Sequence, residues 1–165
     1  MRILGIDPSL RSTGFGVIDV NGNTFTAVTA GEICNPAPLR PSLCLVKISD
    51  AITEILTKFQ PEVVAIEGLV YVQNTKIAFT LGQVRGVIIA AAARNGLEIY
   101  EYAPRKVKQA VTGGGGSGKT QVAQMIKAML GLSAIPSADA ADALALAVCH
   151  GQSSRGFQLT RAKPI

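Results

Sequence analysis

At 165 residues, with 48% hydrophobic and 16% charged content, the chain is bounded to one compact domain with a real core, and a disordered chain is excluded. A formal charge of +5 and a pI of about 9.3 fit a polyanionic partner. The bases are bunched: Arg105, Lys106, Lys108, Lys119 and Lys127 lie between Ala103 and Ala138 with no acid among them, and Arg155, Arg161 and Lys163 fall in the tail.

Arg2–Asp7 is an apolar run ending in Asp7-Pro8-Ser9. Ile3, Leu4 and Ile6 mark it as a central strand buried on both faces, and Pro8 stops it. Thr13–Val20 and Thr24–Ile33 read as two further strands. Asn21-Gly22 between them is a hairpin signal, because both residues tolerate positive φ. Three antiparallel strands therefore open the chain, and Asn35-Pro36-Ala37-Pro38 breaks it. From Arg40 to Phe59 the apolar positions Leu45, Ile48, Ile52, Ile55, Leu56 and Phe59 recur at spacings of three and four, the period of a helix. Val63–Glu67 is a second buried strand ending in a carboxylate. A helix rich in small residues follows at Ile77–Arg94, where Gly82 and Gly86 leave room for another helix to approach. Glu98–Tyr102 is a short strand, and Pro104 opens a helix to Val111. Thr112–Gly118 is a glycine loop, Thr120–Leu130 a helix closed by Gly131, and Ser137–His150 the last helix.

Strands joined through helices pair in parallel. The expected fold is α/β: a mixed five-stranded sheet, three antiparallel strands then parallel ones, flanked by helices. Residues 1–151 form the domain and 152–165 a basic, flexible tail. Cys34, Cys44 and Cys149 are widely spaced and show no metal-ligand pattern, which fits a reduced cytoplasmic protein. The N-terminus runs directly into a strand, with no signal peptide. The longest apolar run, Gly86–Ala93, is too short to span a bilayer.

Glu67 repeats the placement of Asp7, an acid at the C-terminal end of an apolar strand, where sites form in open α/β sheets. Asp139 and Asp142 are three apart and share one helix face. With Ser137 as N-cap, Asp139 also suits a helix N-terminus; Asp142 lies further in, and small alanines surround both. Four carboxylates converging on one cleft would repel one another and hold their protons tightly unless a cation were present. Oxygen ligands favour a hard divalent ion such as Mg²⁺, and two such ions form a common device for in-line phosphodiester cleavage.

The segments Gly5-Ile6-Asp7-Pro8, Ala65-Ile66-Glu67, Leu81-Gly82-Gln83-Val84-Arg85-Gly86, Val107-Lys108-Gln109 and Ala138-Asp139-Ala140-Ala141-Asp142-Ala143-Leu144-Ala145 closely resemble the RuvC family of bacterial Holliday junction resolvases, in order and with similar spacing. The resemblance implies a ribonuclease H-like fold, a homodimer, and Mg²⁺-dependent symmetric nicking of four-way DNA junctions in recombination and repair. It also implies Mn²⁺ as a substitute ion, 5′-phosphate and 3′-hydroxyl products, and association with a branch-migration helicase. By motif position Asp7, Glu67, Asp139 and Asp142 match the metal-binding catalytic carboxylates. In that reading Asp7 bridges two ions, Glu67 and Asp142 complete one site each, and Asp139 ligates or orients the attacking water. Lys108 and Lys119 match basic positions beside the cleaved strand. The family often carries an aromatic residue three positions beyond the glutamate; here that position is Val70, and Tyr71 beside it is the candidate for stacking on a base. Arg85 is a candidate for a DNA or dimer contact. His150 reads as a helix C-terminal partner for the dipole rather than a catalyst.

One competing motif must be weighed. Gly113–Thr120 satisfies G-x-x-x-x-G-K-[ST], the pattern of a phosphate-cradling P-loop, and makes nucleotide hydrolysis the alternative function. A P-loop follows a buried strand, however, and Arg105–Val111 reads as an amphiphilic helix. The phosphate-loop resemblance of Asp7–Gly14 to sugar kinases and actin-like ATPases is opposed by length, since those chains are usually much longer, with two duplicated domains.

Overall fold

The computed structural model of the chain describes residues 1–68, 74–154 and 163–165. Its elements run β1 (Arg2–Asp7), β2 (Ser12–Asn21), β3 (Thr24–Cys34), α1 (Pro41–Phe59), β4 (Val63–Glu67), α2 (Thr75–Arg94), β5 (Glu98–Tyr102), α3 (Pro104–Thr112), α4 (Lys119–Leu130) and α5 (Ala138–Ser153). The five strands form one sheet in the order β3-β2-β1-β4-β5. β1 pairs antiparallel with β2 and parallel with β4, and β4 pairs parallel with β5. This is the mixed sheet that the sequence pattern predicts. Gly22 takes the positive φ of 53° at the hairpin tip.

Strand alternation distributes the core over two faces. Leu4, Ile6, Val64, Ile66 and Ile99 pack against α1 and α2. Ile3, Val63, Ala65 and Tyr102 face α3, α4 and α5 on the other side. β1 and β4 are in register at Gly5↔Ala65 and Ile6↔Ile66. Asp7 and Glu67 each follow that last pair, so period-two alternation puts both acids on the α5 side of the sheet.

α5 lies very close to the sheet because the facing residues lack side chains. A Cβ on Gly5 would sit 2.0 Å from the Ala143 carbonyl oxygen, and one on Gly14 would sit 2.0 Å from the Asp139 carbonyl oxygen. One on Gly16 would meet the Leu144 side chain at 2.7 Å. Ala140, Ala141, Ala143, Ala145 and Ala147 keep the helix surface equally thin.

α2 starts at the N-cap Asn74, whose side chain accepts from the Lys76 and Ile77 amides. At 20 residues it is long and apolar enough to cross a membrane by length and composition, with 28% of its most apolar window buried. Val84, Ile88, Ala91 and Ala92 nevertheless anchor it in the domain core. Among the described residues, no group comes within 4 Å of a Cβ placed at Gly82 or Gly86. Their small size is therefore not explained by a described helix of the same protomer.

Two expectations about the ends of elements change. α5 runs through Gly151 to Ser153, past the expected helix end at His150. At its far end, Ile165 N donates to Ile99 O and Pro164 forms an isolated bridge with Tyr100, which lays these residues along the free edge of β5. The glycine loop connects α3 to α4, with Gly113 in the left-handed conformation as the C-cap of α3. The segment before the loop is a helix, so the loop lacks the strand that a P-loop requires.

Candidate active site

The site is a cleft of about 280 Å³ whose charged lining is Asp7, Glu67, Lys108, Lys119 and Asp142. Pro104, Val107, Val122 and Leu146 complete its walls. Asp7 and Glu67 arrive from the ends of neighbouring strands, and Asp142 from the first turns of α5, held down by the glycine contacts. Lys108 projects from α3 and Lys119 opens α4.

Electrostatics follow from crowding. Burial, followed by the charges of Glu67 and Asp142, pushes the Asp7 carboxyl up to about 7. Burial and then Asp142 also raise Glu67, while Lys119, Arg85 and Lys108 oppose the shift. Lys119 Nζ donates to Asp142 Oδ2 at 2.9 Å, and that pairing raises the lysine's pKa. A lysine thus neutralises part of the acidic cleft. Among the described residues no three His, Cys, Asp or Glu side chains already stand close enough together to hold a metal ion.

Asp139 stands apart from the cleft's other acids. Its Oδ2 accepts from Ser12 Oγ at 2.5 Å, a contact made possible by the close approach of α5 to β2. Its charge still reaches Asp7, where it is the weakest of the contributions that raise the carboxyl. Sequence reasoning missed Ser12; its position at the start of β2 carries no signal for a partner 127 residues away.

Arg85 requires a correction. The sequence offers it as a DNA or dimer contact, but its side chain is buried within the protomer, 4% exposed. Its Nη1 donates to the Glu67 main-chain carbonyl, and its Nη2 pairs with Glu101. His150 is also reassigned. It is buried, its Nδ1 is 2.8 Å from the Tyr102 hydroxyl, and burial lowers its pKa to about 4. A neutral imidazole gives the helix dipole no cation. Tyr71 lies outside the described residues.

An acid at the end of each of two adjacent parallel strands, with a third acid brought over them on the last helix, defines a nuclease of the ribonuclease H-like class. The family model for "Crossover junction endodeoxyribonuclease RuvC" matches residues 3–150. The chain is 47% identical over 156 residues to the protein of that name from Caldicellulosiruptor saccharolyticus, covering 93% of this chain and 94% of the relative. It is 46% identical over 162 residues to that of Francisella tularensis subsp. novicida, covering 95% and 91%. Among solved structures, T. thermophilus RuvC in complex with Holliday junction substrate superposes with a TM-score of 0.91 at 31% identity, covering 100% of this chain and 99% of that one. The chain belongs to the RuvC family of crossover junction endodeoxyribonucleases and is a nuclease.

Proposed function

We propose that the chain resolves four-way DNA junctions by divalent-cation-dependent hydrolysis of one phosphodiester in each of two opposed strands. The family is one of metal-dependent nucleases; the finer reading here is Mg²⁺, two ions per site, with Mn²⁺ as a substitute. The observation that carries it is the cleft in which Asp7, Glu67 and Asp142 face Lys108 and Lys119. All the acidic donors are carboxylate oxygens, which suits a hard cation. Asp7, held near 7 by burial and its acidic neighbours, is a carboxylate whose charge lacks compensation.

Asp7, Glu67 and Asp142 are the carboxylates that would hold the ions. Bound divalent ions supply an activated water and neutralise the phosphate oxygens. Asp139, oriented by Ser12, positions the attacking water from the rim. Lys119, paired with Asp142 in the DNA-free protein, would with Lys108 face the phosphate oxygens on which charge develops. The products are 5′-phosphate and 3′-hydroxyl ends.

Symmetric nicking requires two sites, and a homodimer supplies them. α2 supports that assembly. Ile77 and Phe79 are 55% and 77% exposed, and among the described residues nothing lies within 4 Å of a Cβ placed at Gly82 or Gly86. We place the second copy on this helix. Tyr71 as a base-stacking residue and a branch-migration helicase as partner have the family resemblance as their support; 152–165 as a tail outside the nuclease domain has its basic composition and its place beyond the matched residues 3–150.

The test is incubation with a synthetic four-way junction and a linear duplex, each with and without Mg²⁺. Junction-selective nicking that needs Mg²⁺, and is lost in Asp7→Asn while junction binding persists, is the expected result. Cleavage retained by Asp7→Asn overturns the assignment of the site.

A further inference from the structure

Arg85 occupies an unusual position for an arginine. It sits on α2 between the core residues Val84 and Ile88, and like them it is buried. Burying a guanidinium is costly unless its donors are all engaged. Here the planar fork spans two acceptors on two strands. Nη1 meets the main-chain carbonyl of Glu67, the last residue of β4, and Nη2 meets the carboxylate of Glu101 on β5.

The placement matters because of where the ladder ends. β4 and β5 stay in register through Glu67↔Tyr102, and Gly68 N makes a further bond to Tyr102 O. Glu67 is the last residue of β4 in that register. A carbonyl buried there needs a donor, and Arg85 provides it. The same residue's side chain emerges on the opposite face, into the acidic cleft. One residue is therefore held by its backbone from α2 while its carboxylate faces α5.

We propose that Arg85 is a positioning residue for the cation site: by clamping the end of β4 to β5, it sets where the Glu67 carboxylate stands. The inference rests on the reading of Asp7, Glu67 and Asp142 as the cation-binding acids. It adds a physical link that runs from α2, through the guanidinium, to Glu67. Because α2 is also the helix with the open apolar face, covering that face and fixing Glu67 act on one rigid element. A lysine cannot replace the arginine, since a single ammonium lacks the fork that reaches both acceptors.

The test uses Arg85→Lys and Glu101→Gln in the full chain. Glu101 is at the outer end of the clamp, with its side chain 37% exposed, so its amide variant keeps the shape and leaves the core intact. Mn²⁺ binding to the DNA-free protein is measured by calorimetry, junction binding in EDTA by gel shift, and single-turnover cleavage across a Mg²⁺ titration. Outer groups that orient a metal-binding residue are typically worth about 10–100-fold in metal affinity. Arg85→Lys is expected to weaken Mn²⁺ binding by about tenfold and to raise the Mg²⁺ concentration for half-maximal rate in step. Glu101→Gln shifts both in the same direction by less, and junction affinity in EDTA stays at the wild-type value in both. Unchanged Mn²⁺ affinity in a folded Arg85→Lys protein overturns the proposal. If Arg85→Lys does not fold, Glu101→Gln decides alone, and an unchanged Mn²⁺ affinity there overturns it equally. Wild-type protein that binds no Mn²⁺ overturns instead the assignment of the acids on which the inference rests.

Discussion

Lys119 Nζ and Asp142 Oδ2 are 2.9 Å apart, across the mouth of the cleft that Asp7 and Glu67 close from below. The lysine side chain is 68% exposed and the aspartate 27% exposed, so the pair is partly screened and can exchange. A cation entering the cleft competes with this lysine for the same carboxylate. Removing the lysine therefore acts in opposite directions on two observables. Lys119→Met is expected to tighten Mn²⁺ binding to DNA-free protein, measured by calorimetry. The same variant, and Lys108→Ala, should lower single-turnover cleavage at saturating protein by at least about tenfold, roughly 1.4 kcal/mol of barrier. Weaker Mn²⁺ binding in Lys119→Met would show that the lysine does not compete.

A second expectation concerns pH. The folded-state pKa of Asp7, about 7, lies above the ordinary carboxylate value of 3.8. Between those values the metal-free folded protein binds more protons at Asp7 than the unfolded chain does. Stability from this group therefore falls as pH rises through that window. His150 has the opposite sign: lowered to about 4 from 6.5, it makes stability rise with pH over its own window. Comparing wild type with Asp7→Asn isolates the aspartate. At pH 8 without metal the variant should melt higher than wild type, and the difference should vanish towards pH 4. A variant that melts lower at pH 8 contradicts the crowding of the cleft.

Close approach of α5 gives a third. Gly5→Ala places a methyl group on the Ala143 carbonyl oxygen, and Gly14→Ala places one on that of Asp139. Both neighbours are main chain of a helix, so the helix must move. Overpacking of this kind costs about 1–3 kcal/mol. Urea unfolding should report that loss in each variant, and cleavage should fall further than stability because Asp142 and Asp139 move with α5.

The fourth is the assembly. Phe79→Glu puts a charge on the exposed face of α2, where the second copy is placed. Sedimentation should show a monomer that keeps the wild-type melting curve at low concentration. Junctions should then be nicked singly rather than in pairs. A dimer unaffected by this change moves the interface elsewhere.

The elements were legible in the chain because their periods are strong. β1 and β4 are short apolar runs closed by an acid, and α1 keeps a three-and-four spacing from Leu45 to Phe59. Asn21-Gly22 announces its hairpin by local conformation alone. The placement of Asp7 and Glu67 follows from strand alternation, and the alanines around Asp139 and Asp142 fit a helix that lies close to the sheet. What escaped the sequence was pairing at long range. Arg85 reads as a DNA or dimer contact from its place in the Leu81–Gly86 segment; only β4 and β5 lying under α2 show that two acceptors await it. Ser12 gives no sign of Asp139, and His150 gives none of Tyr102. Gly5, Gly14 and Gly16 look like three unrelated glycines until the antiparallel register of β1 and β2 sets Gly5 directly opposite Gly16 and Gly14 opposite Asp7.

The cleft draws on both ends of the chain: Asp7 lies in β1, Asp142 in the last helix, and that helix packs chiefly on β1 and β2. A protein is synthesised from its N-terminus at about 5–20 residues per second, and domains fold as the chain is completed. A nascent chain released after β4 carries Asp7 and Glu67 but neither Asp139 nor Asp142, and its three glycines face water. Truncated products of translation or proteolysis that lack α5 therefore hold half of the acids and no helix to bring the rest over them. The close-packed helix α5 makes cutting DNA a property that the growing chain acquires only once α5 has been made.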